Sequence, residues 1–222
     1  MTPANIAGMA KVKGLDMIAV CDHNSCRNLP AVKECCDAYG LILVPGMELT
    51  TREEVHLLGY FPDVETALSF SSEVREHLPK KKNKPAFFGH QYVMDADENI
   101  LEEEEALLIG ATDLPLSSAA QLIASYGGVP VPAHINRGSN GLLINLGLMP
   151  QEPFYTTVEM WRLLPCDPEV LRFRHVLHSS DAHYLGDIQE REHALRLKEC
   201  TVPELLKWMK TEKTDRMPEG II

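Results

Sequence analysis

Short apolar runs alternate with segments of helical period along the chain. In the opening segment, Pro3 starts a helix over 4–13, Gly14 ends it, and the apolar run 15–20 follows as a buried strand. Further helices or helical turns are predicted at 30–39, 63–78, 117–126, 140–148, 167–172 and 202–210. Further strands are predicted at 41–44, 55–61, 129–133, 156–161 and 174–177, with a candidate last strand at 194–198. This alternation with short connections predicts a parallel sheet or a barrel.

The stretch 86–116 is the least regular part of the chain, and we interpret it as an insertion. Asp95, Asp97 and Asn99 place oxygen-bearing side chains at alternate positions, as in a calcium-binding loop. The sixth position of such a loop would be Ile100 and the twelfth Ala106. A calcium loop needs glycine and glutamate at those two places. We therefore predict a hairpin turn at 95–99 and a solvated helix start at the acidic run 102–105.

The composition bounds the class of protein. The chain has 222 residues, of which 45% are hydrophobic and 24% are charged, and we predict one domain over 1–222. The net charge of −11, from 32 acidic and 21 basic residues, argues against a broad surface for duplex DNA. A small phosphorylated substrate, or a short nucleic acid held at one local pocket, stays open as a partner. The lysine-rich loop 79–85 is interpreted as a solvated linker rather than a phosphate contact.

The expected compartment follows from the cysteines and the chain start. None of the six cysteines forms a C-x-x-C pair, so we expect reduced thiols and a cytoplasmic protein. The residues after Met1 show no signal peptide. No apolar run approaches the ~18 residues of a membrane span, so no membrane association is expected.

Metal-ligand side chains follow the predicted strands at five places. Asp181 and His183 lie two apart after the strand 174–177, so on an extended segment they would point to one side, about 6–7 Å apart. Mixed imidazoles and carboxylates suit zinc, manganese or iron rather than calcium. Because chemistry gathers at the carboxyl ends of strands in α/β sheets and barrels, we expect one joint metal centre. Its candidate members are Asp22, His23, Glu48, His56, His134, Asp181 and His183.

Five motifs around these residues resemble successive motifs of the PHP family, the polymerase and histidinol phosphatase phosphoesterases. They are AVCDHNS at 19–25, VPGME at 44–48, VHLLG at 55–59, PAH at 132–134 and SDAH at 180–183. The resemblance covers residues 2 to about 200 in the family order, and it looks closest to the free-standing bacterial branch. It implies a distorted (β/α)7, TIM-like barrel with up to three divalent ions (manganese, zinc or iron) at its C-terminal mouth.

The resemblance also implies a role for each candidate. The metal roles are Glu48 as the bridge between the first and second ions, His56 and His134 on the second, Asp181 on the first, and His23 and His183 on the third. Asp22 would orient an imidazole or a water. Arg137, three residues after His134, is a candidate clamp for the substrate phosphate, with a surface salt bridge as the alternative.

The chain departs from the family pattern at its start. The family opens with a strand that bears His-x-His and with a loop carboxylate, whereas this sequence begins at the helix expected next. We therefore expect the first strand to be missing, its neighbour's edge to be unpaired and fewer than three ions to bind. Either the true start lies upstream of Met1 or the chain is a shortened form, and the remaining ligands favour the first explanation.

The leading hypothesis is a metal-dependent phosphoesterase. Two ions would hold a hydroxide that attacks phosphorus in line, and Glu48, Asp181 and His183 would form the catalytic set, with His183 assisting the leaving group. The resemblance implies small phosphomonoesters, nucleoside bisphosphates or the 5′ ends of short RNA as substrates. The first alternative is a degenerate, non-catalytic PHP module with a binding or regulatory role. The second is a metal-dependent amidohydrolase, which the motif at 22–25 disfavours.

Overall fold

The computed structural model describes residues 1–213, so the last nine positions of the predicted domain 1–222 lie outside the described residues. The helices are α1 (Pro3–Val12), α2 (Leu29–Tyr39), α3 (Val64–Glu76), α4 (Pro85–Phe88), α5 (Leu116–Ser125), α6 (Leu142–Leu146), α7 (Pro168–Leu171) and α8 (Val202–Lys210). The strands are β1 (Met17–Val20), β2 (Ile42–Thr50), β3 (His56–Tyr60), β4 (Tyr92–Met94), β5 (Ile100–Glu103), β6 (Val129–Pro132), β7 (Thr157–Glu159) and β8 (His175–Leu177). The alternation of helices and strands agrees with the predicted α/β class. None of the described helices is long and apolar enough to cross a membrane.

The main sheet has the strand order β1-β2-β3-β6. β1 and β2 are parallel, but β3 runs antiparallel to both β2 and β6. The expectation of an all-parallel sheet is therefore wrong at β3. The reason is the connection 51–55, which is far shorter than the dozen or so residues that a parallel crossover needs.

A second pair, β7 and β8, is parallel and lies beside β6. The backbone N–H of Ile135 donates to the carbonyl of Glu159 at 2.9 Å, which links the end of β6 to β7. Within residues 1–213 the strands form no closed barrel, so the seven-unit barrel stays a prediction. In the same range β1 has β2 as its one strand partner. A cavity of about 510 Å³ lies between β1 and the segment 178–183.

Apolar side chains cover both faces of the main sheet. One cluster packs α1, α2, α3 and α5 against the sheet, with Val32, Phe70 and Ile123 among its buried members. A second cluster packs Leu206 and Met209 of α8 on the other face. The sheet is therefore closely packed on both faces, and this packing fixes the positions of the polar residues at its strand ends.

The irregular stretch 86–116 holds a hairpin of β4 and β5, which confirms the predicted turn at 95–99. The predicted helix start at 102–105 is wrong, because β5 continues to Glu103 and Glu104 turns inward to bond Arg27 and Arg75. The predicted strand at 194–198 is also wrong. That stretch is mostly exposed and forms no backbone ladder with a described strand.

Candidate metal centre

Four of the predicted ligands meet on the main sheet. His23 continues the parallel pairing of β1 with β2 and lies opposite Glu48. His56 is the first residue of β3, and His134 follows the end of β6. Because β1, β2, β3 and β6 are successive neighbours, these four side chains come together although they are far apart in sequence.

The Glu48 carboxylate is the centre of this group. Its Oε1 lies 2.9 Å from Nδ1 of His56 and 3.4 Å from Nε2 of His134. Its Oε2 lies 3.3 Å from Nδ1 of His23. Ligand atoms of His23, Glu48 and His56 all lie within 4.8 Å of one another. Two imidazoles and one carboxylate are thus within reach of one small cation, and the imidazole of His134 contacts the same carboxylate.

Burial and mutual contact shift the pKa values in this group. Burial alone would raise the pKa of Glu48, but hydrogen bonds from His134 and His56 outweigh it and hold that pKa well below its usual range. Burial lowers the pKa of His23 and so favours its neutral, metal-binding form. Burial also acts to lower the pKa of His134, but the adjacent Glu48 carboxylate raises it overall.

The donor set fits a divalent ion. Nδ1 of His56 and Nε2 of His134 lie 3.2 Å apart and face the same carboxylate oxygen. The buried Nδ1 of His23 has no hydrogen-bond partner in the described part of the chain. An ion among these atoms would replace the hydrogens that the imidazoles direct at this carboxylate and would bind the nitrogens freed of them. Mixed nitrogen and oxygen donors suit zinc, manganese or iron.

The structure places His23 in the same group as Glu48 and His56. Its ring centroid is 5.2 Å from that of His56 and 6.0 Å from that of His183. The assignment of His23 to a third ion, apart from Glu48, therefore stays a prediction. His134 has a backbone φ of +28°, a rare conformation for a non-glycine residue that concentrates at functional sites.

Asp181 and His183 lie beyond β8, in an irregular segment. The expected extended geometry is wrong here, because Asp181 has a φ of +47° and the chain bends. As a result Nδ1 of His183 lies 3.8 Å from Oδ1 of Asp181, closer than an extended segment allows. The same nitrogen lies 2.9 Å from the backbone carbonyl of Asp181.

Arg137 forms an ion pair with Asp181. Its guanidinium also lies 4.8 Å above the centre of the Trp161 ring. The salt-bridge alternative for Arg137 thus describes its contacts, although the partner is a predicted metal ligand rather than a surface residue. Its role as a phosphate clamp stays a prediction.

Asp22 is half-buried beside the centre, and burial raises the pKa of its carboxyl group. Its side chain forms no hydrogen bond to an imidazole within residues 1–213, so the orienting role stays a prediction. His90, which follows no recognised motif, pairs with Glu103 at 2.7 Å and stacks on Tyr92.

Glu159 was not among the predicted site residues. It is the last residue of β7, it is 5% exposed, and its carboxylate accepts a hydrogen bond of 3.2 Å from the backbone N–H of His134. Burial raises its pKa to about 7. The signal that could have found it is the one used for the other candidates, a carboxylate at the end of an apolar strand.

Sequence comparison with known proteins finds one partial relative. No family model matches the chain. An uncharacterized protein (MJ1587) of Methanocaldococcus jannaschii is 30% identical over 90 residues, which is 40% of this chain and 52% of that protein. The chain thus spans about half the length of this curated relative.

Two solved structures share the fold. The lesion-specific endonuclease PfuEndoQ of Pyrococcus furiosus superposes with a TM-score of 0.68 at 17% identity, over 95% of this chain and 51% of that one. A complex of Endonuclease Q with a 27-mer duplex that carries an abasic lesion gives a TM-score of 0.66 at 17% identity, over 95% and 52% of the two chains. These neighbours are consistent with the resemblance to the PHP family. At this identity they show the fold alone.

Proposed function

We propose that the chain hydrolyses phosphoesters with divalent metal ions. The observation that carries the proposal is the group of His23, Glu48 and His56, whose ligand atoms lie within 4.8 Å of one another. Endonuclease Q, which has the same fold, is named as a nuclease that acts on lesions in DNA and therefore on phosphodiesters. The proposal joins that fold to a donor set that suits the metals of such hydrolases.

The chain's own residues would hold the ions and the substrate. The proposed ligands are His23, Glu48, His56, His134, Asp181 and His183. When bound, the ions would lower the pKa of a water and neutralise the phosphoryl oxygens. Glu48 is ionised before an ion binds, because its pKa is lowered. His183, whose side chain is 56% exposed, would exchange a proton with the leaving group and with solvent.

Arg137 and Asp181 would act together at the edge of this centre. Arg137 now contacts Asp181, and a guanidinium can bind a carboxylate and a phosphate in the same planar geometry. We propose that Arg137 holds Asp181 before substrate arrives and then binds the substrate phosphate. Asp22 and Glu159 would orient the ligands without binding the ions themselves. Glu159 would do so through its hydrogen bond with the backbone N–H of His134.

The substrates proposed from the sequence are small phosphomonoesters, nucleoside bisphosphates and the 5′ ends of short RNA. The expectation that duplex DNA is excluded gains no support, because Endonuclease Q was solved with a duplex substrate. Duplex DNA therefore belongs among the substrates to be tested. All six cysteines are free, which supports the cytoplasm as the proposed compartment.

The experiment measures metal content and hydrolysis on the same preparations. Elemental mass spectrometry gives ions per chain, and phosphate or nucleotide release is followed with glycerol 2-phosphate, nucleoside bisphosphates, short RNA and duplex DNA. We expect at least one ion per chain and Mn²⁺-dependent release from one of these substrates. Glu48→Gln should lose about 100-fold in rate and about half or more of the bound metal, since even groups that only orient the ligands affect metal affinity or activity on the order of 10–100-fold.

The matched control is Glu76→Gln, an exposed carboxylate at the end of α3 with no contact to the centre. It should keep the metal content and rate of the unmodified chain. Bound metal without hydrolysis of any of the four substrates would reject the enzyme and favour the non-catalytic module. A chain that binds no metal would reject the centre itself.

A further inference from the structure

The hairpin of β4 and β5 forms the outer wall of a second cavity. This cavity, the hairpin pocket, has a volume of about 660 Å³ and is lined by Phe88, His90, Tyr92, Ile100 and Ile109 on the hairpin side. On the inner side it reaches Asp22 and His23. Pockets of roughly 300–1,000 Å³ hold ligands of nucleotide size. The pocket therefore opens directly from the candidate metal centre.

Two ring side chains of this wall, Phe88 and His90, are exposed, and Tyr92 is half-buried. Phe88 is 53% exposed although it lines a cavity. The rings of His90 and Tyr92 stack with centroids 5.0 Å apart and an interplanar angle of 11°. A row of flat, solvent-accessible rings is the surface on which nucleobases stack, and such stacking needs no particular base.

The charges around the pocket favour an uncharged ring within it and a phosphate at its inner end, beside the candidate metal centre. Two acidic residues of its wall have partners: Glu104 contacts Arg75 and Arg27, and Glu98 accepts a hydrogen bond from Asn5. The two arginines are thereby neutralised by Glu104 and are not free to bind a phosphate. The phosphate instead would reach the centre at His23, which lines the same pocket.

A lysine-rich loop borders the hairpin pocket. The loop 80–84 precedes α4, and the amide of Asn83 donates to the carbonyl of Gly89 at 2.8 Å, which ties it to the aromatic wall. Lys82 pairs with Glu105, but within residues 1–213 no carboxylate pairs with Lys80, Lys81 or Lys84. On a chain with a net charge of −11, this loop offers a local contact for a further phosphate.

We infer that the hairpin pocket binds the nucleobase of the substrate, so that the enzyme acts on nucleotides or nucleic-acid strands rather than on sugar phosphates. This inference rests on the proposed phosphoesterase function. Phe88 and the His90–Tyr92 pair stack on the base, and His23 lies at the end of the pocket where the sugar phosphate meets the centre. A neutral apolar partner such as a protein side chain would gain nothing from the adjoining lysines.

The test measures binding without turnover. Isothermal titration compares two phosphonates on the Mn²⁺-loaded chain: the analogue of AMP with CH₂ in place of the 5′ bridging oxygen, and the same analogue of ribose 5-phosphate. Neither can be hydrolysed at that position. We expect the adenosine compound to bind about 10-fold more tightly, the order of one base stacked on an aromatic side chain.

Phe88→Ala and Tyr92→Ala should remove this preference and leave binding of the ribose compound unchanged. The matched control is Phe87→Ala, because Phe87 lies on the same short helix, is 82% exposed and does not line the pocket. Equal affinity for the two compounds, or a preference that survives both substitutions, would overturn the inference. If the same preparation still releases phosphate from glycerol 2-phosphate, only the base-binding inference fails and the proposed phosphoesterase function is retained.

Discussion

Asn24 fixes the position of the ligand that precedes it. It has a φ of +49°, is 2% exposed, and its amide donates to the carbonyls of Leu108 and Gly110 at 2.7 and 2.9 Å. Its side-chain oxygen accepts from the N–H of Thr50 at 3.0 Å. Asn24 thus joins β2 and the insertion directly beside His23. Asparagine tolerates the left-handed backbone better than most residues do.

We expect Asn24→Ala to lower the free energy of unfolding by about 3 kcal/mol, because it leaves buried backbone groups without partners and keeps the strained φ. Asn24→Gly should lose about 1 kcal/mol less, since glycine removes the backbone strain alone. Urea unfolding measures both values. A loss below about 1 kcal/mol for Asn24→Ala would show that the three hydrogen bonds contribute little.

The candidate ligands could be selected from the sequence, because each lies in or after an apolar run that the pattern identifies as a strand, and their role as ligands stays a prediction. Their partners could not be predicted. The pair of Arg137 with Asp181 joins positions 44 apart, and the amide of Asn24 reaches a carbonyl 84 positions away. Such contacts depend on how loops cross the sheet edge, which no local pattern encodes.

Among the elements, the hairpin of β4 and β5 depends on one buried carboxylate. Glu104 is 6% exposed, contacts Arg75 and Arg27, and accepts from the N–H of Ala106 at 2.8 Å. Burial alone would raise the pKa of Glu104, but the hydrogen bond from Arg75 and the other contacts lower it below its usual range. A lowered folded-state pKa means that ionised Glu104 stabilises the folded hairpin.

This stabilisation should be fully present above about pH 4.5 and be lost as the pH falls through the lower, folded-state pKa. Hydrogen exchange of the amides at 92–103 should therefore lose protection as the pH is lowered through that range, after correction for intrinsic exchange rates. Glu104→Gln should reduce this pH dependence and weaken protection at pH 7, while Asp95 and Glu102 of the same hairpin, whose pKa values are also lowered by hydrogen bonds, keep part of it. The control Glu105→Gln changes an exposed neighbour whose ion pair with Lys82 is at the surface. The same pH dependence in Glu104→Gln would contradict this role.

Most helices and strands lie within a few residues of their predicted positions, since their ends carry local signals such as Pro3 at the start of α1 and Gly40, with a φ of +66°, after α2. The predictions of a parallel β3 and of a helix start at 102–105 were wrong for a different reason. The direction of β3 depends on the length of its connection to β2. Glu104 is acidic yet buried because Arg75 of α3 and Arg27, which precedes α2, reach it. Both facts belong to tertiary structure.

At the scale of the whole molecule, the metal centre joins distant parts of the chain. His23, Glu48, His56 and His134 come from four strands or their ends, and the order β1-β2-β3-β6 aligns them. In an unfolded chain the same residues are separated by long loops and bind an ion weakly. An ion that binds only the folded chain stabilises it by mass action.

Calorimetry should detect that coupling directly. At a free Mn²⁺ concentration of about 100 times Kd the gain is about 2.7 kcal/mol. A chain of this size gains about 2–4 °C in Tm per kcal/mol, so we expect Tm to rise by about 5–10 °C. Glu48→Gln, which removes the central carboxylate, should lose most of this rise, whereas the exposed control Glu76→Gln should keep it. An equal rise in Glu48→Gln would mean that Mn²⁺ stabilises the fold from elsewhere, because Glu48 is the carboxylate that contacts His23, His56 and His134.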